Sequence, residues 1–192
     1  MKQTKTIKIF IFLLFLIISV KPINSGETDI INKEFKKQYL NEQLIKSLNY
    51  YPLGFPLKNN DYLYISSYYG KRYHPIFKKR KFHYGVDIVG FYRAPIIATA
   101  SGIVTTAKYM DGYGKIVIIK HRFGYETRYA HLRTIFVKKD QNIKKGDTLG
   151  IMGNTGRSAG IHLHYEIREM GYPLNPLDFF KIPNVYLFAK KK

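Results

Sequence analysis

The chain has 192 residues, a formal charge of +19 and no cysteine. That length fits one domain with short extensions, and the apolar and aromatic content suits a packed core and excludes a largely disordered chain. The missing cysteine excludes disulfides and a lipid anchored on an N-terminal cysteine, so the core and any metal must hold the fold together.

Lys2, Lys5 and Lys8 precede an almost wholly apolar run, Ile9 to Val20. A basic start followed by such a run reads as a secretory signal. It is short for a membrane span, which needs about 20 apolar residues. Ile23-Asn24-Ser25 is the best cleavage site, so 1–25 is taken as a signal peptide or N-terminal anchor. Its removal takes away four lysines and no acid and leaves +15. A protein of that charge is drawn to polyanions.

Residues 26–60 form a helical extension. From Asn32 to Asn49 the apolar residues Phe35, Tyr39, Leu40, Leu44, Ile45 and Leu48 recur at helical spacing. From Asp61 the pattern changes to short β-branched or aromatic runs between glycine turns. Strands are expected at Tyr62–Ser66, Val86–Val89, Pro95–Ala98, Gly102–Tyr109, Lys115–His121, Glu126–His131, Thr148–Met152 and His162–Arg168. So many strands at this spacing imply an all-β core, an antiparallel sandwich or open barrel, over 61–180. Residues 181–192 read as a basic tail.

Of six histidines, four fall in three informative places. In His162-Leu163-His164-Tyr165-Glu166-Ile167, strand alternation puts His162, His164 and Glu166 on one face and three apolar side chains on the other. The two imidazoles are then about 7 Å apart, which suits one metal ligand beside one catalytic group. In His83-Tyr84-Gly85-Val86-Asp87, a straight strand would hold His83 and Asp87 about 13 Å apart. Both can reach one ion only if the segment bends, and Gly85 is the natural hinge. His131 ends a strand, where its side chain can project into a cleft. Two histidines and a carboxylate make the ligand set of a catalytic zinc site, with one position left for water.

At these residues the sequence resembles the lysostaphin-type (LytM-like) zinc metallopeptidases, which are peptidoglycan endopeptidases. The resemblance runs through Ser66 to Pro75, Phe82 to Ile88, Pro95 to Gly102, Gly112 to Ile119, Tyr129 to Leu132, Lys145 to Gly150, Gly153 to Ser158, His162 to Glu166 and Asn175 to Leu177. It implies a zinc metallopeptidase domain over 61–180 with the fold of that family. It implies one zinc ion held by His83, Asp87 and His164, with His131 and His162 sharing, in an order the sequence does not decide, the roles of general base and oxyanion stabiliser. It implies hydrolysis of peptide bonds in cell-wall peptidoglycan by attack of zinc-bound water, outside the cytoplasmic membrane. The runner-up is an inactive scaffold that activates another wall hydrolase. Peptidoglycan peptides are the expected partners, with anionic wall polymer drawn by the charge. No nucleic acid is expected, and no dedicated wall-binding domain is seen. Ile161 and Lys115 depart from the family's usual proline and asparagine, and neither position supplies a ligand. His74 and His121 are read as non-catalytic. Tyr68, Tyr69 and Tyr73 are candidates for substrate contact.

Overall fold

The computed structural model describes residues 39–180, except 41, 44, 45, 59, 60 and 75–78. The proposed signal, most of the predicted helix and the basic tail lie outside the described residues. The chain divides into two compact units, Met1–Gln43 and Leu44–Lys192. In the first, Tyr39, Leu40, Glu42 and Gln43 are helical; in the second, so are Lys46, Ser47 and Leu48. Among the described residues no helix is long and apolar enough to cross a membrane.

Among the described residues the second unit has thirteen strands. They are β1 (Tyr62–Ser67), β2 (Gly70–His74), β3 (Lys79–His83), β4 (Val86–Gly90), β5 (Pro95–Ile97), β6 (Gly102–Met110) and β7 (Gly114–Lys120). β8 (Tyr125–Leu132), β9 (Thr134–Ile135), β10 (Asn142–Ile143), β11 (Thr148–Ile151), β12 (Leu163–Glu169) and β13 (Tyr172–Leu174) follow. The main sheet has the order β1-β4-β12-β8-β7-β6-β10, with β13 added beside β12. A second sheet has the order β5-β11-β9, and β2 and β3 form a separate hairpin. Every pairing is antiparallel. The all-β architecture expected from the sequence is therefore present, with little helix. Five strands escaped the sequence reading: β2 and β3 are basic and lack alternation, β9 and β10 have two residues each, and β13 carries a proline.

Alternation decides which face of the main sheet does what. Val86 and Ile88 of β4, Val117 and Ile119 of β7, and Leu163, Tyr165 and Ile167 of β12 are buried in one core with Ile96 and Leu149 of the second sheet. Leu57, ahead of β1, joins the same core. The residues between them in sequence face the other way. Asp87, His164 and Glu166 occupy that opposite face, together with a smaller apolar cluster of Ile116, Ile118 and Ala130. The site therefore sits on the side of the sheet that the main core leaves uncovered.

Candidate active site

Three strands bring the ionisable residues together. Asp87 of β4 pairs in register with His164 of β12, and His164 pairs with Ala130 of β8. His83 comes from the other side of a turn between strands. It ends β3 in the hairpin, whereas Asp87 lies in the main sheet, and Tyr84-Gly85 makes the turn between them. A Cβ on Gly85 would stand 2.2 Å from the Tyr165 carbonyl oxygen, so only glycine lets this turn press onto β12. The bend that the sequence required is where glycine stands.

His131 reaches the cleft by a different device. Between β7 and β8 the register slips: Lys115 faces Leu132, while Val117 faces Tyr129. The extra residue makes a β-bulge, and bulges re-aim side chains beside functional sites. His131 has φ 62° there, a left-handed conformation that costs a non-glycine residue about 1–3 kcal/mol. Its backbone N–H donates to the Tyr113 carbonyl at 2.9 Å. Its Nδ1 donates to the Thr155 carbonyl at 2.8 Å. Thr155 is itself fixed, since its hydroxyl donates to the Leu132 carbonyl and accepts from the Lys115 N–H. Gly114, with φ +68°, allows this loop to pack directly on Thr155.

His83, Asp87, His131, His162 and His164 all line one cleft, with Arg72, Lys81, Tyr113 and Arg157 among its other walls. Three of them converge on a point. His83 Nε2 lies 3.1 Å from Asp87 Oδ1 and 3.0 Å from His164 Nδ1. His164 Nδ1 lies 2.8 Å from Asp87 Oδ1. The far side of each ring is committed elsewhere: His83 Nδ1 donates to the Tyr68 carbonyl at 2.9 Å, and His164 Nε2 donates to Glu166 Oε1 at 3.0 Å. With the rings neutral, two imidazole lone pairs and one carboxylate oxygen then point at each other. Such an arrangement is repulsive unless a cation lies between them. The spacings are close to the edge of about 3.3 Å of a tetrahedron with 2.0–2.1 Å metal–ligand bonds. Nitrogen and oxygen donors with outer hydrogen bonds that fix each tautomer suit a zinc ion.

Electrostatics say the same. Burial opposes charge on His164, but hydrogen bonds with Asp87 and Glu166 outweigh it and push the ring up to about 9. Without a metal, the site recruits a proton as its cation. Burial also opposes charge on Asp87, yet the two rings hold its carboxyl far below the usual range. Glu166, wholly buried, is brought down to about 2 despite burial, because His164, Arg168 and Tyr113 surround it. Its Oε1 accepts from the Tyr113 hydroxyl at 2.8 Å and its Oε2 from Arg168 Nε at 2.8 Å.

The two remaining histidines are tuned the opposite way. Burial, then repulsion from His162 and His164, depresses His131 to about 4. Burial also lowers His162, whose Nδ1 donates to the Gly160 carbonyl at 2.9 Å. Their rings are 4.8 Å apart. Each thus stands neutral at pH 7 with Nδ1 committed to a backbone carbonyl and Nε2 left to act in the cleft. His121 is elsewhere: it is buried against Ser101 and Thr127. His74 lies in β2. Tyr69 is committed to the Pro173 carbonyl, whereas Tyr68 and Tyr73 are exposed. The sequence reading gave no role to Glu166, Tyr113, Arg72 or Thr155. Only Glu166 carried a signal, its place on the His162–His164 face.

Comparison with known proteins identifies the family. The model of peptidase family M23 matches residues 81–176, half of the chain. The DD-carboxypeptidase/endopeptidase Mpg of Neisseria meningitidis is 42% identical over 124 residues, 65% of this chain and 29% of Mpg. The murein hydrolase activator NlpD of Escherichia coli is 43% identical over 96 residues, 50% of this chain and 25% of NlpD. The chain thus spans under a third of the length of either relative. A zinc containing peptidase from Vibrio cholerae superposes with a TM-score of 0.59 at 34% identity, covering 63% of this chain and 37% of that one. The catalytic domain of the antimicrobial peptidase lysostaphin from Staphylococcus simulans gives 0.57 at 28% identity, covering 63% and 93%. The chain belongs to peptidase family M23 and has the lysostaphin-type fold.

Proposed function

We propose that this chain is a zinc-dependent endopeptidase that hydrolyses peptide bonds of bacterial peptidoglycan. The convergence of His83 Nε2, Asp87 Oδ1 and His164 Nδ1 carries the reading. These three residues would hold the ion. When bound, zinc supplies Lewis acidity toward the scissile carbonyl and acidifies the attacking water. His131 and His162 supply the rest. Held neutral, one ring accepts the proton of the attacking water at Nε2. The other presents a donor to the oxyanion that develops on the carbonyl oxygen, and a protonated ring returns its proton to the leaving amine. Water is consumed, and one carboxyl and one amino terminus appear. The signal-like residues 1–25 fit work outside the cytoplasmic membrane, and the positive charge fits attraction to anionic wall polymer.

A second reading has one observation behind it: the similarity to NlpD, a hydrolase activator. A scaffold has no use for the strained His131 or for three donors facing one point, and here all five positions are filled. Residues 26–192 would be purified, their zinc measured, and the protein incubated with purified peptidoglycan while new peptide ends are read by mass spectrometry. The enzyme reading expects near-stoichiometric zinc and new ends. Absence of both would favour the scaffold.

A further inference from the structure

Tyr113 stands in the short turn between β6 and β7, yet its polar groups reach both halves of the site. Its hydroxyl donates to Glu166 Oε1 at 2.8 Å. The same oxygen accepts from His164 Nε2 at 3.0 Å. Its carbonyl accepts the backbone N–H of His131 at 2.9 Å. One residue therefore meets the outer partner of a donor in the cluster and the backbone of the bulge that aims His131.

This reach is not local. The sheet runs β12-β8-β7-β6, so a side chain from the β6–β7 turn must cross β8 to meet Glu166. It does so over the small cluster of Ile116, Ile118 and Ala130, on which Tyr113 packs. The turn is pinned from its other side as well. The Arg157 N–H donates to the Gly112 carbonyl at 2.9 Å, and a Cβ on Gly156 would stand 2.8 Å from the Tyr113 carbonyl carbon. Packing alone needs only the ring, which phenylalanine would supply. The hydroxyl adds something else. Arg168 Nε holds Glu166 Oε2 at 2.8 Å, and from that contact alone the carboxylate plane is free to turn. A second donor on Oε1 fixes the plane, and with it the direction in which His164 Nε2 finds its acceptor. Such contacts behind a metal ligand orient its ring.

We propose that Tyr113 is a positioning residue that holds the donor cluster and His131 in one geometry, its hydroxyl acting on His164 through Glu166 and its carbonyl acting on the bulge. Its importance for turnover rests on the hydrolase reading; its hold on the two histidines does not.

The test is a double-mutant cycle of Tyr113→Phe with Glu166→Gln in the full chain, with zinc affinity read by competition with a chelator. Tyr113→Phe keeps the ring and the carbonyl. It should weaken zinc binding about tenfold. In the Glu166→Gln background it should weaken binding by less than about twofold, because its path is already cut. Equal losses in both backgrounds, or no loss, overturn the action through Glu166. Hydrogen exchange in metal-free protein reads the other end. In Tyr113→Phe the His131 amide should lose about tenfold in protection relative to the Val104 amide, which is bonded to the Gln141 carbonyl. An equal change at both amides overturns the hold on His131. At saturating zinc, kcat on purified peptidoglycan should fall at least about tenfold with KM little changed, since the ion and His131 are no longer held together. A wild-type kcat there overturns the positioning role. If the wild-type protein with zinc cuts nothing, the hydrolase reading fails instead, and zinc affinity and amide exchange still decide Tyr113.

Discussion

Two buried polar clusters share strands β8 and β12, and they are opposite in kind. On the core side, His121 Nδ1 donates to the Ser101 carbonyl at 2.9 Å, and its Nε2 meets the Thr127 hydroxyl at 2.8 Å. Thr127 continues to the Tyr129 hydroxyl at 3.1 Å. The Thr99 N–H donates to the Tyr129 hydroxyl at 3.0 Å, and the Thr99 hydroxyl meets Tyr165 at 2.7 Å. Each group finds its partner within the protein, and burial holds His121 neutral. On the cleft side, His83, Asp87 and His164 are as buried, yet with the rings neutral their inner atoms are three acceptors facing one another. Burial and histidine content do not separate the two clusters. What separates them is whether the hydrogen bonds close, as those around His121 do, or leave a place that only a cation fills. A closed network rigidifies; an open one binds.

Mutations that sharpen this contrast should differ by orders of magnitude. His164→Ala removes one of the three donors and one of the three partners of the Glu166 carboxylate. Zinc should be lost, and activity should fall by more than the roughly 100-fold typical of damage to a ligand's outer partner. Retained stoichiometric zinc would break the assignment. His131→Ala should keep zinc, since its Nδ1 faces Thr155, and should lose about 10²–10⁴-fold in kcat. Turnover near wild type would remove His131 from the chemistry. Glu166→Gln tests the hydrogen bond behind His164. It keeps the shape but weakens the partner that leaves Nδ1 bare, so zinc affinity, read by competition with a chelator, should fall about 10–100-fold. An unchanged affinity would mean that the ring is oriented by packing alone.

The legible part of this molecule was its alternation. Val86-Asp87-Ile88 and Leu163-His164-Tyr165 declare which side chains face the core, so the faces of β4 and β12 follow from the sequence. The separation of His83 from Asp87 demanded a bend, and Gly85 marks it. The position of His131 was less legible, because a bulge with φ 62° depends on the register of β7 against β8, which no local pattern encodes. The acceptors that set three tautomers are the carbonyls of Tyr68, Thr155 and Gly160. A backbone carbonyl looks alike under every residue type, so this part of the site had no signal to read. Arg72 gave no signal until pairing of β2 with β3 set it opposite Lys81.

The closed cluster should respond differently. Tyr129→Phe takes the hydroxyl from both Thr99 and Thr127 without reshaping the core. It should cost about 1–3 kcal/mol of stability, read by urea unfolding, while zinc content and kcat/KM stay unchanged. A large loss of turnover would show that the two clusters are coupled through β8.

The finest test is the pH dependence of stability in metal-free protein. His131 has a folded pKa of about 4, below the value of about 6.5 expected when unfolded. Between those values the unfolded chain binds more protons, so stability falls as pH drops from about 6.5 to about 4. His121 and His162 are lowered too and act in the same sense, so this acidic arm belongs to both clusters. His164 is the opposite case. Its folded pKa of about 9 gives a contribution that is whole below about 6.5 and is lost as pH rises through about 9. Up to about pH 9, below the range where the raised tyrosines of the closed cluster begin to matter, the alkaline arm therefore belongs to the open cluster. Urea midpoints across pH 4–10 should peak near 6.5 in metal-free protein. Zinc should abolish the alkaline decline, because the ion replaces the proton at His164 Nδ1, and should steepen the acidic one, because protons then displace the ion. A metal-free profile that stays flat from pH 6.5 to 9 would show that the three donors do not gather positive charge, and the contrast between the clusters would fail.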